Sequence, residues 1–167
     1  RDPRLRLFVS ANLFEIFSNT IWVSSIILVF VTELLNKTES YWGYSNTAYS
    51  IGIIISGLIA FRLSEKFLAA KWESILFPLV AMAIVTLTIL YFPNAQMFLL
   101  FSALVGMLSQ LKEVPESVFL QETVEENNLV NVYSVLEVIS TLAFSVFVLL
   151  MSYITESFGI SISFWLS

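Results

Sequence analysis

Five apolar runs, each of about 20 residues or more, dominate this chain: residues 7–35, 44–63, 72–92, 97–121 and 129–153. About 18 such residues suffice to cross the hydrocarbon of a bilayer as a helix. Only helices and closed barrels satisfy every backbone polar group in that medium. A water-soluble fold would need a polar skin to cover these runs. With 57% of its 167 residues apolar and 13% charged, the chain cannot supply one. The mean hydropathy of +0.85 points the same way. The expected class is an all-α, polytopic transmembrane helix bundle of five spans, with a truncated sixth opening at 159. The chain begins at Arg1 and ends after a short apolar run, "ISISFWLS", so it reads as part of a longer polypeptide.

Charge and chemistry narrow the function. The net charge of −5 and the lack of a basic cluster argue against nucleic acid as a partner. Cysteine and histidine are both missing. That removes disulfides, thiol nucleophiles, soft-metal ligands and imidazole relays, and leaves no constellation that supports an enzyme. No cofactor is implied beyond a proton gradient, and proton chemistry within the membrane falls to carboxylates. If the N-terminal end is cytoplasmic, Arg1, Arg4, Arg6, Arg62, Lys66, Lys71 and Lys112 all lie inside and only Lys37 lies outside. Positive residues favour the inner side, which sets the expected orientation in a cell membrane, with a prokaryotic host.

Polar stripes show which spans face something other than lipid. Asn12, Glu15, Asn19 and Trp22 recur at helical spacing in the first span, and Asn46, Tyr49, Gly52 and Ser56 in the second. Ser102, Gly106, Ser109 and Glu113 mark the fourth; Ser134, Glu137, Thr141 and Ser145 mark the fifth. The third has only Thr86 and Thr88 between residues 75 and 90, and both hydroxyls can bond back to their own helix. Small polar residues also serve plain helix packing, so the stripes alone leave two readings open. The carboxylates favour a lined pathway. Glu15 and Glu137 each lie about eight residues into their spans, hence at similar depth, roughly 12 Å from the cytoplasmic end. Two such groups suit proton coupling or recognition of a cationic substrate, or else structural hydrogen bonds between helices.

Three stretches resemble the C-terminal half of a major facilitator superfamily transporter, close to its macrolide-efflux-like drug exporters. "YSIGIIISGLIAFRLSEKF" (49–67) is similar to the end of the family's eighth helix and a degraded copy of its loop signature G-x-x-x-D-R-x-G-R/K-R/K. Gly57, Arg62 and Lys66 match it, while Phe61, Ser64 and Glu65 depart from it. "PESVFLQETVEENNLVNVYSVLEVIS" (115–140) resembles P-x(4)-L-Q-x-x-V-P-x-x-x-R-G-R-V-x-S through Pro115, Leu120, Gln121, Val124, Val132 and Ser134. Its arginines are absent, with Asn128 and Asn131 in their region. "RDPRLRLF" is similar to the basic linker before the seventh helix.

The resemblance implies one six-helix half of a secondary transporter, probing its substrate with Asn12, Glu15, Asn19, Trp22, Asn46, Tyr49, Glu137 and Thr141. Its partners would be the lipid bilayer, an N-terminal six-helix half and a small-molecule substrate. Pro115 is expected to bend the fourth helix where it leaves the core. Lys112 and Glu116, four apart, can pair on one helix face. With Arg62, Lys66 and Glu113 they are expected to belong to a cytoplasmic gate that makes and breaks as two halves rock. The leading expectation is a proton-coupled exporter of drug-like or small amphipathic compounds. The alternative is a non-transporting membrane scaffold or assembly subunit.

Overall fold

The computed structural model describes residues 3–22, 24–69 and 71–166; the side chains of 3, 4, 21, 24, 25, 63–69, 71–73, 164 and 165 lie outside the description. All regular structure among these residues is helical. The elements are α1 (Pro3–Asn19), a 3₁₀ turn (Thr20–Trp22), α2 (Ser24–Val29), a π turn (Phe30–Leu34), α3 (Glu39–Ala69), α4 (Lys71–Tyr91), α5 (Ala95–Thr123), α6 (Glu126–Phe158) and α7 (Ile160–Leu166). Four of them, α3 to α6, are long and apolar enough to cross a membrane. Exposed apolar side chains such as Val138, Leu142 and Leu149 on α6 would be a liability in water. They are the natural lipid face of a spanning helix.

The first apolar run is not the single helix its hydropathy suggests. It leaves α geometry at Thr20–Trp22 and again, as a π turn, at Phe30–Leu34. No proline or glycine causes the first break. At that break the Thr20 hydroxyl donates back to the Ile16 carbonyl at 2.6 Å. The run closes at Asn36, whose left-handed φ of 51° suits an asparagine. Its neighbour Lys37 donates its amide to the Val31 carbonyl at 3.0 Å.

Pro115 is buried and lies inside an unbroken helix that continues to Thr123. The turn before α5 has a specific device: the Asn94 carboxamide oxygen accepts the amides of Gln96 and Met97 at 2.9 and 3.2 Å. Asn94 thus satisfies two amides that a helix start would otherwise leave unpaired. In α4, Thr86 and Thr88 donate to Met82 and Ile84 carbonyls at 3.0 and 2.7 Å, which lets a nearly unbroken apolar helix carry two hydroxyls.

The chain divides into two compact units, Arg1–Phe30 with Gln121–Ser167, and Val31–Leu120. In the first unit α1 packs along α6, and α7 folds back against α6. Gly159, at φ 87°, makes that reversal where a side chain would be strained. Its amide bonds Thr155 and the hydroxyls of Thr155 and Ser163 meet at 2.7 Å. In the second unit α3 and α5 run parallel and touch backbone to backbone. Gly52 faces Ala103 and Met107, and Gly106 faces Tyr49, so closely that no Cβ fits at either glycine.

Candidate functional site

The first unit holds six of the eight side chains expected along the substrate pathway, Asn12, Glu15, Asn19, Trp22, Glu137 and Thr141. Two contacts fix the register of α1 on α6. The Ser140 hydroxyl donates to the Asn12 side-chain oxygen at 3.1 Å. Five residues further along α1, the Phe17 ring meets Phe147 edge-on, with centroids 5.2 Å apart. Both sequence numbers rise together, so the helices are parallel. Each position on α1 lies level with the α6 residue 128 to 130 further on.

This register corrects the depth reading. Glu15 is level with the region of Phe144, whereas Glu137 is level with the region of Val9. The two carboxylates are therefore offset by roughly 10 Å along the helix axes. The reason is that α6 begins at Glu126 and overhangs the start of α1, so equal counts from the apolar boundaries do not give equal depths. Thr141 is the α6 group nearer the level of Asn12.

Glu15 is half-buried and accepts the Asn19 carboxamide N–H at 3.1 Å. Asn12, Glu15 and Asn19 thus form one polar edge of α1, with Asn12 tied to α6 and Glu15 tied one turn along its own helix. Directly after Asn19 the helix tightens into the 3₁₀ turn that carries the half-buried Trp22. Glu137 and Thr141 are exposed, as are Ser134 and Ser145. Their row lies roughly 120° around α6 from the residues that meet α1. The α6 stripe therefore does not share the Glu15 environment within this unit; it presents a separate open face.

In the second unit, the stripes of α3 and α5 meet each other. Ser109 donates its hydroxyl to the Gly106 carbonyl at 3.0 Å, which leaves its oxygen to accept the Tyr49 hydroxyl at 3.2 Å. Tyr41 donates to the Ala95 carbonyl near the other end of the seam. Ser56 is fully buried on the same face as Gly52 and Tyr49. Most of what reads as a lining stripe here is a packing seam between small residues, as close helix contact in a membrane requires. Asn46 stands apart, with its side chain exposed.

Among the residues expected at a gate, Lys112 is buried at 4% exposure and pairs with Glu116 at 3.2 Å. Glu113 and Arg62 are exposed. The α3–α5 register puts Arg62 at the same end of the unit as this pair. The side chain of Lys66 lies outside the described residues.

The structure also forms a groove that the sequence did not announce. It encloses about 660 Å³ between the first turns of α1 and α6 and the loop that precedes α6. Leu5 and Val9 form one wall, Val132, Val135, Leu136 and Ile139 the other, and Glu125, Asn128 and Asn131 the polar edge. Its walls are more than 100 residues apart in the chain, so no local pattern reveals it. The i, i+3, i+4 apolar spacing from Val132 to Ile139 was the available signal, and it equally describes a helix in lipid.

These features define a polytopic α-helical membrane protein whose helices carry polar edges. Comparison with known proteins places it further. Residues 8–167 match the family model described as Major Facilitator Superfamily, and the chain belongs to that family. It is 28% identical over 159 residues to the "Uncharacterized MFS-type transporter YfmI" of Bacillus subtilis (strain 168), covering 95% of this chain and 39% of that protein. It is 27% identical over 162 residues to the "Uncharacterized MFS-type transporter YjbB" of the same organism, covering 97% and 40%. The chain thus spans about two-fifths of the length of these relatives. No solved structure matches it.

Proposed function

We propose that this chain forms the C-terminal helical half of a secondary active transporter. In this reading the protein exports drug-like or small amphipathic compounds in exchange for protons, by alternating access. The greater length of the two bacterial relatives supports a second six-helix half as the working partner. Glu15 is the coupling carboxylate, with Asn12, Asn19 and Trp22 beside it; Asn46, Tyr49, Glu137 and Thr141 are further pathway groups. The Lys112–Glu116 pair, with Glu113, Arg62 and Lys66, belongs to a cytoplasmic gate.

One observation carries this reading. A half-buried carboxylate sits about 18 Å along α1, one turn before the helix abandons α geometry. Irregular backbone within a membrane persists where it is covered by protein or lines a water-filled cavity. Discontinuous spanning helices commonly build substrate and ion sites in transporters. A carboxylate at such a break can be covered from one side and then the other as the bundle rocks.

The test is gradient-driven accumulation of a panel of amphipathic fluorophores, neutral and cationic, in proteoliposomes of the full-length protein with the membrane potential clamped. Wild type accumulates at least one compound when a pH gradient is imposed, and Glu15→Gln accumulates none while still binding it. Undiminished gradient-driven uptake by Glu15→Gln would remove Glu15 from the coupling role.

A further inference from the structure

We infer that the open row on α6, Ser134, Glu137, Thr141 and Ser145, docks a spanning helix of the transporter's other half, and that this helix carries a lysine or arginine opposite Glu137. The identity of the partner rests on the half-transporter reading; the chemistry of the contact rests on the row itself.

The row is set apart by its place on the helix. Ser140 and Phe147 mark the side of α6 that meets α1, where they touch Asn12 and Phe17. Val135, Val138, Leu142, Val146 and Leu149 form an exposed aliphatic strip, the side suited to lipid. At 100° per residue the polar row occupies the remaining side. All four of its side chains are exposed. Glu137 lies eight residues into the apolar run that opens at 129, about 12 Å deep. An ionised carboxylate left bare at that depth would face hydrocarbon. Such groups in spanning helices are turned toward a partner or a water-filled space instead.

The chemistry of the row is one-sided. The Ser134 hydroxyl donates to the Val130 carbonyl at 2.9 Å, and the Ser145 hydroxyl to the Thr141 carbonyl at 2.8 Å. Both protons are spent within α6, so both oxygens remain only as acceptors. The Glu137 carboxylate accepts and does not donate. Lysine and arginine are the reverse, positively charged and able only to donate. A row of acceptors with a negative charge within it is complementary to that one kind of side chain.

The cation must come from outside this helix. No lysine or arginine follows Lys112 in the sequence, so α6 has none. By the α1–α6 register Arg6 is the basic residue nearest in level, beside 134–136. It is exposed, and among the described residues it forms no ion pair with Glu137. The chain covers 39% and 40% of its two bacterial relatives, which leaves them room for a second bundle that brings the missing charge. Glu137 then serves as a pathway group only while the halves are apart.

The experiment is photocrosslinking of the full-length protein in membranes, with a protease site inserted in the linker ahead of Arg1. Benzoylphenylalanine is placed singly at Thr141, Ser145 or Val138, and the chain is cleaved after illumination. Thr141 and Ser145 become attached to the N-terminal half, whereas Val138, on the aliphatic strip, does not. Peptide mapping of the Thr141 adduct finds a spanning segment that contains a lysine or arginine. Glu137→Lys cuts the Thr141 yield about tenfold, because like charges face to face are strongly unfavourable. Reversing the mapped basic residue to glutamate in that variant restores the yield, which separates repulsion from misfolding. Arg6→Gln leaves the yield unchanged. Equal yields from Val138 and Thr141, adducts only with lipid or with a second copy of α6, or a partner segment without a basic residue would each overturn the assignment. So would a yield that falls with Arg6→Gln, or one that Glu137→Lys leaves intact. Transport is not read here, so failure to move any fluorophore would count against the exporter reading and leave the docking face standing.

Discussion

Replacing Gly52 with alanine tests how tightly α3 and α5 are pressed together. A Cβ at Gly52 would stand 2.8 Å from the Ala103 carbonyl carbon and 2.9 Å from the Met107 amide nitrogen, and closer still to the Ala103 oxygen. Comfortable contact between such atoms begins near 3.5 Å, so the helices must separate by about 1 Å. All three atoms are backbone within a helix, so no rotamer change relieves the clash. Overpacking of this kind costs about 1–3 kcal/mol, and here the upper end applies. Alanine returns at most about 1 kcal/mol of helix propensity, leaving a net loss of about 2 kcal/mol. Gly57, five residues along the same helix, has nothing within 4 Å of its would-be Cβ. There the propensity term acts alone, and Gly57→Ala stabilises by about 0.5–1 kcal/mol. Reversible unfolding in mixed micelles, followed by far-UV circular dichroism, separates the two variants. The close seam would be refuted if Gly52→Ala proved as stable as Gly57→Ala.

Other contacts make separate predictions. Asn12→Ala and Ser140→Ala each remove the one hydrogen bond recorded between them; a double-mutant cycle in the same unfolding assay should return a coupling of about 0.6 kcal/mol, the usual value for such bonds in membranes. Glu116→Gln removes the ion pair at 3.2 Å from the buried Lys112 ammonium and lowers stability, by up to about 3 kcal/mol, whereas Lys112→Met combined with Glu116→Leu recovers most of the loss. Asn94→Ala loses the cap on α5 at a cost of about 1 kcal/mol, read as faster hydrogen exchange at the amides of Gln96 and Met97.

Hydropathy alone makes the helical membrane class legible, because only a spanning helix uses apolar runs of this length. Finer features depend on how helices meet, and periodicity does not record that. The stripe containing Tyr49, Gly52 and Ser56 has the same spacing whether it faces water or α5; only the close approach at Gly52 and Gly106 shows that it is a seam. The break at Thr20 escapes notice because neither proline nor glycine marks it. Glu15 and Glu137 differ in depth although each lies about eight residues into its apolar run, because α6 begins earlier, in the acidic run at Glu126. The groove joins segments remote in sequence, so only the packing of α1 along α6 brings it into being.

The proposed transport mechanism turns on Glu15 carrying the coupling proton. Its most direct test is substrate exchange at equal pH on both sides of the membrane, set beside gradient-driven accumulation, for wild type and Glu15→Gln and for the compound that wild type moves best. If Glu15 couples, Glu15→Gln exchanges substrate at close to the wild-type rate but accumulates none against a gradient. Loss of exchange and accumulation together would make Glu15 a structural group held by Asn19, and preserved accumulation would contradict its coupling role outright.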